Sequence, residues 1–384
     1  MLDFTYFNPT RIIFGKGKIA ELTRLVPRRA KVLLVYGRGS IKENGVYDQI
    51  SAALEKFDVI EFGGIEPNPR YETCMEAVEV IAAEGPGFIV GAGGGSVFDA
   101  CKYIAASARF AWGDPWEILS EHKPVKAALP WGGVLTLPAT GSEMNAGSVI
   151  SRDGTQEKLV FASDLVRPRF SILDPETTYS LPPRQTANGV VDAFVHVCEQ
   201  YATTPAASPL QDRQAEAVLL TLIEEGPKAL KEPRNYDVRA NLMWCATNAL
   251  NGWLGLGVSA DWATHVIGHE LTVLYGVDHA QSLAIVQPGV WRHQRDRKRE
   301  KLLQYGARVW NITDGTEEER VDRAISETES FYRSLGVGTR LRDYDIPEEA
   351  CDLVAGRLAK RGVSLGEHSD IGAEAVREIL RLRV

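Results

Sequence analysis

Apolar residues come in short unbroken runs through the first half of the chain and at helical spacing through the second. Lys31-Val-Leu-Leu-Val-Tyr36 is one such run and ends in Gly37-Arg38-Gly39-Ser40, while Phe88-Ile-Val-Gly-Ala leads in the same way into Gly93-Gly94-Gly95-Ser96. Runs this short and this apolar predict strands buried on both faces, each followed by a glycine turn and a helix. Further strands are expected over Phe57–Phe62, Gly133–Leu137 and Phe170–Leu173, with a strand-like opening segment from Phe4 to Phe14. Helical spacing begins at Lys18 and covers Tyr71–Glu84, after the rigid turn Glu66-Pro67-Asn68-Pro69. Strands alternating with helices imply a mostly parallel sheet covered on both sides. Beyond Leu181-Pro182-Pro183 the period is helical throughout. The expectation is an α/β domain over 1–182 and an all-α domain over 183–384. With no repeat or low-complexity linker between them, close packing is expected, with a ligand cleft where they meet.

Three of the seven histidines fall in Asp261-Trp-Ala-Thr-His265-Val-Ile-Gly-His269-Glu270-Leu-Thr-Val-Leu-Tyr-Gly276-Val-Asp278-His279. His265 and His269 are four apart, one turn along one helix face. Gly276 ends that helix and lets the chain turn back, so His279 can aim at the same point. Converging imidazoles suggest a divalent cation. Asp192-Ala-Phe-Val-His196 offers a second pair at the same spacing. Either pair alone is better explained by packing or capping; together they can surround one ion. The metalloprotease pattern H-E-x-x-H is excluded, because Glu270 follows the second histidine and not the first.

The Gly93-Gly94-Gly95-Ser96 turn lets backbone amides approach an anion at a helix N-terminus, which suits a pyrophosphate. Ser96 and Asp99 also satisfy a capping box, but capping does not require three glycines. The earlier turn departs from G-x-G-x-x-G, with Lys42 where the third glycine belongs. It carries Arg38, Ser40 and Lys42 and no carboxylate, which favours the 2′-phosphate of NADP(H) over the ribose hydroxyl of NAD(H), unless these are surface charges only. Thr140-Gly141-Ser142-Glu143 follows a strand and is either a lining of the cofactor channel or a surface turn.

Composition narrows the class. The 384 residues, 44% hydrophobic and 24% charged, fit a two-domain globular enzyme. A net charge of −8 argues against nucleic acid or an anionic membrane as partner. The basic run Arg292-His-Gln-Arg295-Asp-Arg297-Lys298-Arg299-Glu-Lys301 is broken by acids and reads as a solvated helix face. The five cysteines are scattered with no C-x-x-C, which suits a reducing compartment. No secretory leader or membrane-length apolar run stands out, and a cytoplasmic location is expected.

Taken in order, Gly93-Gly94-Gly95-Ser96-x-x-Asp99-x-x-Lys102, Leu137-Pro-Ala-Thr140-Gly141-Ser142-Glu143, Asp192-x-x-x-His196 and His265-x-x-x-His269 with His279 resemble the iron-containing, group III alcohol dehydrogenases. Within that family the chain looks most like the NADP-dependent aldehyde reductase and butanol dehydrogenase branch. The resemblance implies a Rossmann-like α/β domain and an all-α domain on the two-domain plan shared with dehydroquinate synthase. It implies hydride transfer between NADP(H) and a short-chain aldehyde or primary alcohol. Asp192, His196, His265 and His279 become the ligands of one divalent cation, iron, zinc or manganese. His269 stays unligated beside the nicotinamide and serves as proton relay. Gly93, Gly94, Gly95 and Ser96 hold the pyrophosphate; Asp99, Thr140 and Ser142 line the cofactor; Asn68 is counted among its contacts and Lys158 meets the nicotinamide end. Gly37, Arg38, Gly39 and Ser40 lie by the adenosine ribose. The resemblance also implies a homodimer or larger assembly. The alternatives are a lyase of the dehydroquinate-synthase type and a non-catalytic helical scaffold stapled by the ion.

Overall fold

The computed structural model describes residues 1–384. Its strands are β1 Arg11–Phe14, β2 Lys31–Tyr36, β3 Asp58–Phe62, β4 Phe88–Gly94, β5 Trp131–Leu137, β6 Gly147–Arg152, β7 Glu157–Ala162 and β8 Phe170–Leu173. Six of them form one parallel sheet in the order β1-β8-β5-β4-β2-β3, and β6 and β7 form a separate antiparallel hairpin.

Alternation along β2 explains the unbroken apolar runs. Leu33 and Val35 enter one cluster with Ile89, Phe98, Trp131 and Leu135, whereas Val32 and Leu34 enter another with Val90, Val134 and Ile172. The helices Tyr71–Glu84 and Gly95–Ser107 close the first cluster through Cys74, Ala77, Phe98 and Cys101. Ile19, Leu22, Val46 and Ile50, from short helices between residues 18 and 53, close the second. Because both faces are covered, no polar alternation is required.

The strand expected over Phe4–Phe14 is shorter than its aromatic content suggests. Only Arg11–Phe14 pairs, with β8 at the sheet edge, while Phe4 and Phe7 are exposed and have no pleated neighbour to pack against.

The chain separates into two compact units, one of residues 7–181 with 234–247, the other of 1–6, 182–233 and 248–384. A single boundary at 182 therefore omits two exchanges of chain. The helix Tyr236–Ala249 joins the α/β unit because Met243 lies in the first apolar cluster, Trp244 meets Phe14 edge to face at 6.1 Å, and the Thr247 hydroxyl donates to buried Glu143. The regular elements of the second unit are all helices, packed around Ile267, Leu271, Ile285, Val290, Val354 and Ile379. No helix of the protein is long and apolar enough to cross a membrane.

Candidate metal centre and cofactor loops

The helix Pro183–Tyr201 is buried along most of its length and carries Asp192 and His196. The helix Ala263–Tyr275 carries His265 and His269 and stops at Gly276, whose φ of 69° is one that glycine adopts without strain. Asp278 then caps the helix His279–His293, which makes His279 its first residue. Arg184 and Asn188, two turns and one turn before Asp192, both bind the Asp278 carboxylate and so tie the turn that presents His279 to the helix that presents Asp192.

Asp192, His265 and His279 form a metal-binding group whose ligand atoms lie within 4.8 Å of one another. Asp192 Oδ1 is 3.6 Å from His279 Nε2 and 4.0 Å from His265 Nε2. His196 adjoins them, with Nδ1 3.7 Å from Asp192 Oδ1 and its ring stacked on His265 at 4.5 Å between centroids. Donors bound ~2.0–2.1 Å from one cation lie no more than about 4.2 Å apart, and the three Asp192 distances satisfy that. His196 Nδ1 is buried with no hydrogen-bond partner, an arrangement that costs about 1–3 kcal/mol and that a cation would relieve. Burial pushes the His196 imidazole down to about 4 against the opposing pull of Asp192, so the ring is neutral and keeps a lone pair to donate. The residues present therefore fit a divalent cation. His269 stands outside the group, its centroid 5.2 Å from His279 and 6.4 Å from His265.

Sequence reasoning missed Glu199. It is buried three residues beyond His196 on the same helix face, with one carboxylate oxygen on His265 Nδ1 and the other accepting the Thr264 N–H at 2.7 Å. With Nδ1–H donated to Glu199, the lone pair sits on Nε2, the atom that faces Asp192. The signal was present as Asp192-x-x-x-His196-x-x-Glu199, which continues one helical stripe. Just before the His265 helix, Trp262 has φ 61°, edge-on to His265 at 5.4 Å. Such backbone costs about 1–3 kcal/mol in a bulky residue. The fully buried Ile267 and Leu271 of the same helix contribute about 1.5–3 kcal/mol each, enough to hold it.

In the α/β unit, β2 and β4 are parallel neighbours, and the chain passes from β2 to β3 on one side and to β4 on the other. Ligands bind outside the strand ends at such a reversal, and here both glycine turns leave the sheet together, Tyr36 being level with Ala92. Two of the three central glycines are sterically required. A Cβ on Gly93 would come 2.4 Å from Val97 Cγ2, and one on Gly95 2.4 Å from Thr140 Oγ1, whereas on Gly94 the nearest atom is Leu137 Cβ at 3.0 Å. Close helix–strand packing thus explains part of the run that capping did not.

The remaining expected cofactor residues form linked contacts. The Asn68 amide donates to Ser96 Oγ at 3.3 Å, and Lys158 donates to Asn68 Oδ1 at 2.8 Å. Ser142 donates to Asp99 Oδ1 at 2.6 Å, its amide reaches Thr140 Oγ1 at 3.2 Å, and the Val149 amide meets Asp99 Oδ2 at 3.0 Å. Beneath them the buried Lys102 ammonium donates to Ser142 Oγ, Asn145 Oδ1 and the Gly147 carbonyl at 2.8, 2.8 and 2.6 Å, and burial brings it down to about 8. The Thr140–Ser142 stretch is thus braced against the helix that follows the Gly93–Ser96 turn, with Asp99 as one of the braces. A cavity of about 610 Å³ lies beside Ser40, lined also by Asp174, Thr177, Tyr179, Ser180 and Arg234.

Two charge readings need correction. The turn after β2 is not free of carboxylates, since Glu61 of β3 contacts Lys42 Nζ at 3.0 Å and accepts from the Tyr36 and Tyr47 hydroxyls. Adjacent parallel strands bring Glu61 there, leaving Arg38 as the exposed cation of the turn outside that ion pair. The basic run is likewise not all solvated, because Lys298 and Lys301 are buried in ion pairs with acids distant in the chain.

The chain belongs to the iron-containing alcohol dehydrogenase family. The model described as "Iron-containing alcohol dehydrogenase" matches residues 9–175, and "Fe-containing alcohol dehydrogenase family, C-terminal" matches 186–384. Among curated relatives, the NADPH-dependent aldehyde reductase YqhD of Escherichia coli K12 is 56% identical over 99% of both chains. The probable NADH-dependent butanol dehydrogenase 1 of Bacillus subtilis 168 is 42% identical over 99% of both. The crystal structure of E. coli K-12 YqhD superposes with a TM-score of 0.98 at 55% identity, covering 100% of this chain and 99% of that one. Family membership sets aside the lyase and scaffold alternatives.

Proposed function

We propose that the protein is an NADP(H)-dependent aldehyde reductase and alcohol dehydrogenase for short-chain aldehydes and primary alcohols, using one divalent cation held by Asp192, His196, His265 and His279. The observation that carries this reading is the convergence of a buried carboxylate and three imidazoles, in a family of alcohol dehydrogenases, with His196 Nδ1 left without another partner. When bound, the cation supplies Lewis acidity toward the carbonyl oxygen, and the reduced nicotinamide supplies the hydride.

The chain's own residues do the rest. Glu199 accepts a hydrogen bond from His265 Nδ1–H and so directs Nε2 toward Asp192. His269, outside the ligand group, relays through solvent the proton that completes the alcohol, a task that suits an imidazole near neutral pH. Gly93 to Ser96 hold the pyrophosphate with Thr140 and Ser142 alongside, Asn68 and Lys158 orient the nicotinamide end, and the cavity beside Ser40 takes the adenosine. Arg38 and Ser40 recognise the 2′-phosphate; of the two relatives described above, the more similar is named for NADPH and the other for NADH. Three imidazoles and one carboxylate suit Zn²⁺, Fe²⁺ or Mn²⁺. A cytoplasmic homodimer or larger assembly belongs to the same reading, and light scattering measures it.

The test is enzyme reconstituted with zinc, iron or manganese, given a panel of short-chain aldehydes with NADPH or NADH, and followed by loss of the reduced-nicotinamide absorbance. Cation-dependent oxidation of NADPH by butanal is expected. Full activity in a metal-free His265→Ala variant would overturn the reading.

A further inference from the structure

We propose that Lys298, acting through Asp261, is a positioning residue for His265. This inference rests on reading Asp192, His196, His265 and His279 as cation ligands. Lys298 is only 3% exposed, in the middle of a basic run whose arginines lie nearer the surface. Its ammonium meets Asp261 Oδ2 at 2.7 Å, donates to the Ala202 carbonyl at 2.7 Å, and lies 3.4 Å from Glu367 Oε1.

Asp261 in turn has three attachments. Its amide donates to the Glu199 carbonyl at 2.9 Å, its Oδ1 accepts the Ala263 N–H at 3.0 Å, and its Oδ2 takes the Lys298 ammonium. One residue later Trp262 adopts its left-handed backbone, and two residues beyond that the Thr264 amide is held by the Glu199 carboxylate. The first turn of the His265 helix is therefore fastened on both sides of its strained residue, and Lys298 is the only cation among the side chains fastening it.

The arrangement accounts for burying a lysine here. Without the ammonium, Asp261 and Glu367 would face one another in the interior with no counter-charge. Asp261 would have to swing toward water, releasing Trp262 from its left-handed conformation and taking the helix start away from Glu199. His265 would then lose the orientation that aims Nε2 at Asp192, although every ligand remained in the sequence.

The experiment compares the full-length parent with Lys298→Met and Lys298→Arg. Zinc affinity is read by competition with a chromophoric chelator, the site's shape by the visible bands of the cobalt-substituted protein, and the α/β unit by NADPH affinity. Lys298→Met is expected to bind zinc about 10- to 100-fold more weakly, with altered cobalt bands and unchanged NADPH affinity, the range seen when partners of metal-bound histidines are removed. Lys298→Arg should recover part of the loss. Zinc affinity and cobalt bands like the parent's in Lys298→Met would overturn the proposal. Should Lys298→Met fail to fold, Asp261→Asn keeps an acceptor for the Ala263 amide and weakens only the ammonium contact; parent-like zinc affinity there overturns it equally. A parent that takes up no zinc would instead overturn the metal-site reading itself, and this one with it.

Discussion

Replacing Arg38 tests the cofactor assignment most directly. Arg38 is exposed and engaged in no ion pair, so its removal leaves no buried group unsatisfied and reads out only what it does for a ligand. A charged hydrogen bond to phosphate is worth about 1.5–3 kcal/mol, and exposure to solvent selects the lower end. At 1.4 kcal/mol per factor of ten, Arg38→Ala should raise the Michaelis constant for NADPH about tenfold. NADH lacks the 2′-phosphate, so its constant should barely change. Arg38→Asp adds repulsion and should discriminate more strongly, and the effect should shrink with salt over the ~10 Å screening length at 0.1 M. Lys42 provides the internal control, because Glu61 already neutralises it and Lys42→Ala should disturb NADPH binding less than Arg38→Ala does. Steady-state kinetics with both cofactors at low and high salt make the measurement. Parallel increases for NADPH and NADH, or a larger effect from Lys42→Ala, would refute the reasoning.

Other outcomes follow from the same geometry. His269→Ala should retain the cation in elemental analysis while turnover falls about 100-fold, the lower end for a proton-transfer group; loss of the cation would place His269 among the ligands. Gly95→Ala drives a methyl group into Thr140, and overpacking of this kind costs about 1–3 kcal/mol, so melting temperature and NADPH affinity should fall together while zinc affinity stays. Unchanged NADPH affinity would show that the loop tolerates the shift. Burial raises the Glu329 carboxyl, but Arg383 and Arg292 outweigh it and bring it from 4.5 to about 2. The folded value lies below the unfolded one, so the stabilisation is complete above pH 4.5 and is lost as pH falls toward 2, about 3 kcal/mol in all. Calorimetry should show a flatter acid limb for Glu329→Gln, and a limb as steep as the parent's would contradict this.

Local chemistry was readable from the sequence wherever it lay along one element. β2, β4, β5 and β8 show as apolar runs because both faces of the sheet are covered. Asp192 with His196, and His265 with His269, show because a helix turns 3.6 residues at a time. Contacts between elements were not readable in this way. Glu61 looks harmless until parallel pairing of β2 and β3 brings it to Lys42. Nothing in a run of cations tells Lys298, which finds Asp261 and Glu367, from Arg297 beside it, which stays half exposed against Asp370. The β6–β7 hairpin is a different case, since Asp153-Gly154 between alternating segments does mark a turn, but polar residues such as Arg152 and Glu157 make a weak strand signal.

The helix Tyr236–Ala249 has a consequence for how the protein can be divided. Its body completes the α/β unit, yet the chain reaches it only after the segment 182–233 and leaves it for 248–384. A gene fragment ending at residue 181 would expose the apolar surface that Met243 covers and leave the Glu143 carboxyl without the Thr247 hydroxyl. The α/β half is thus no autonomous module that recombination could lend intact to another enzyme. Its inheritance, like its maturation on the ribosome, must wait for sequence beyond residue 247.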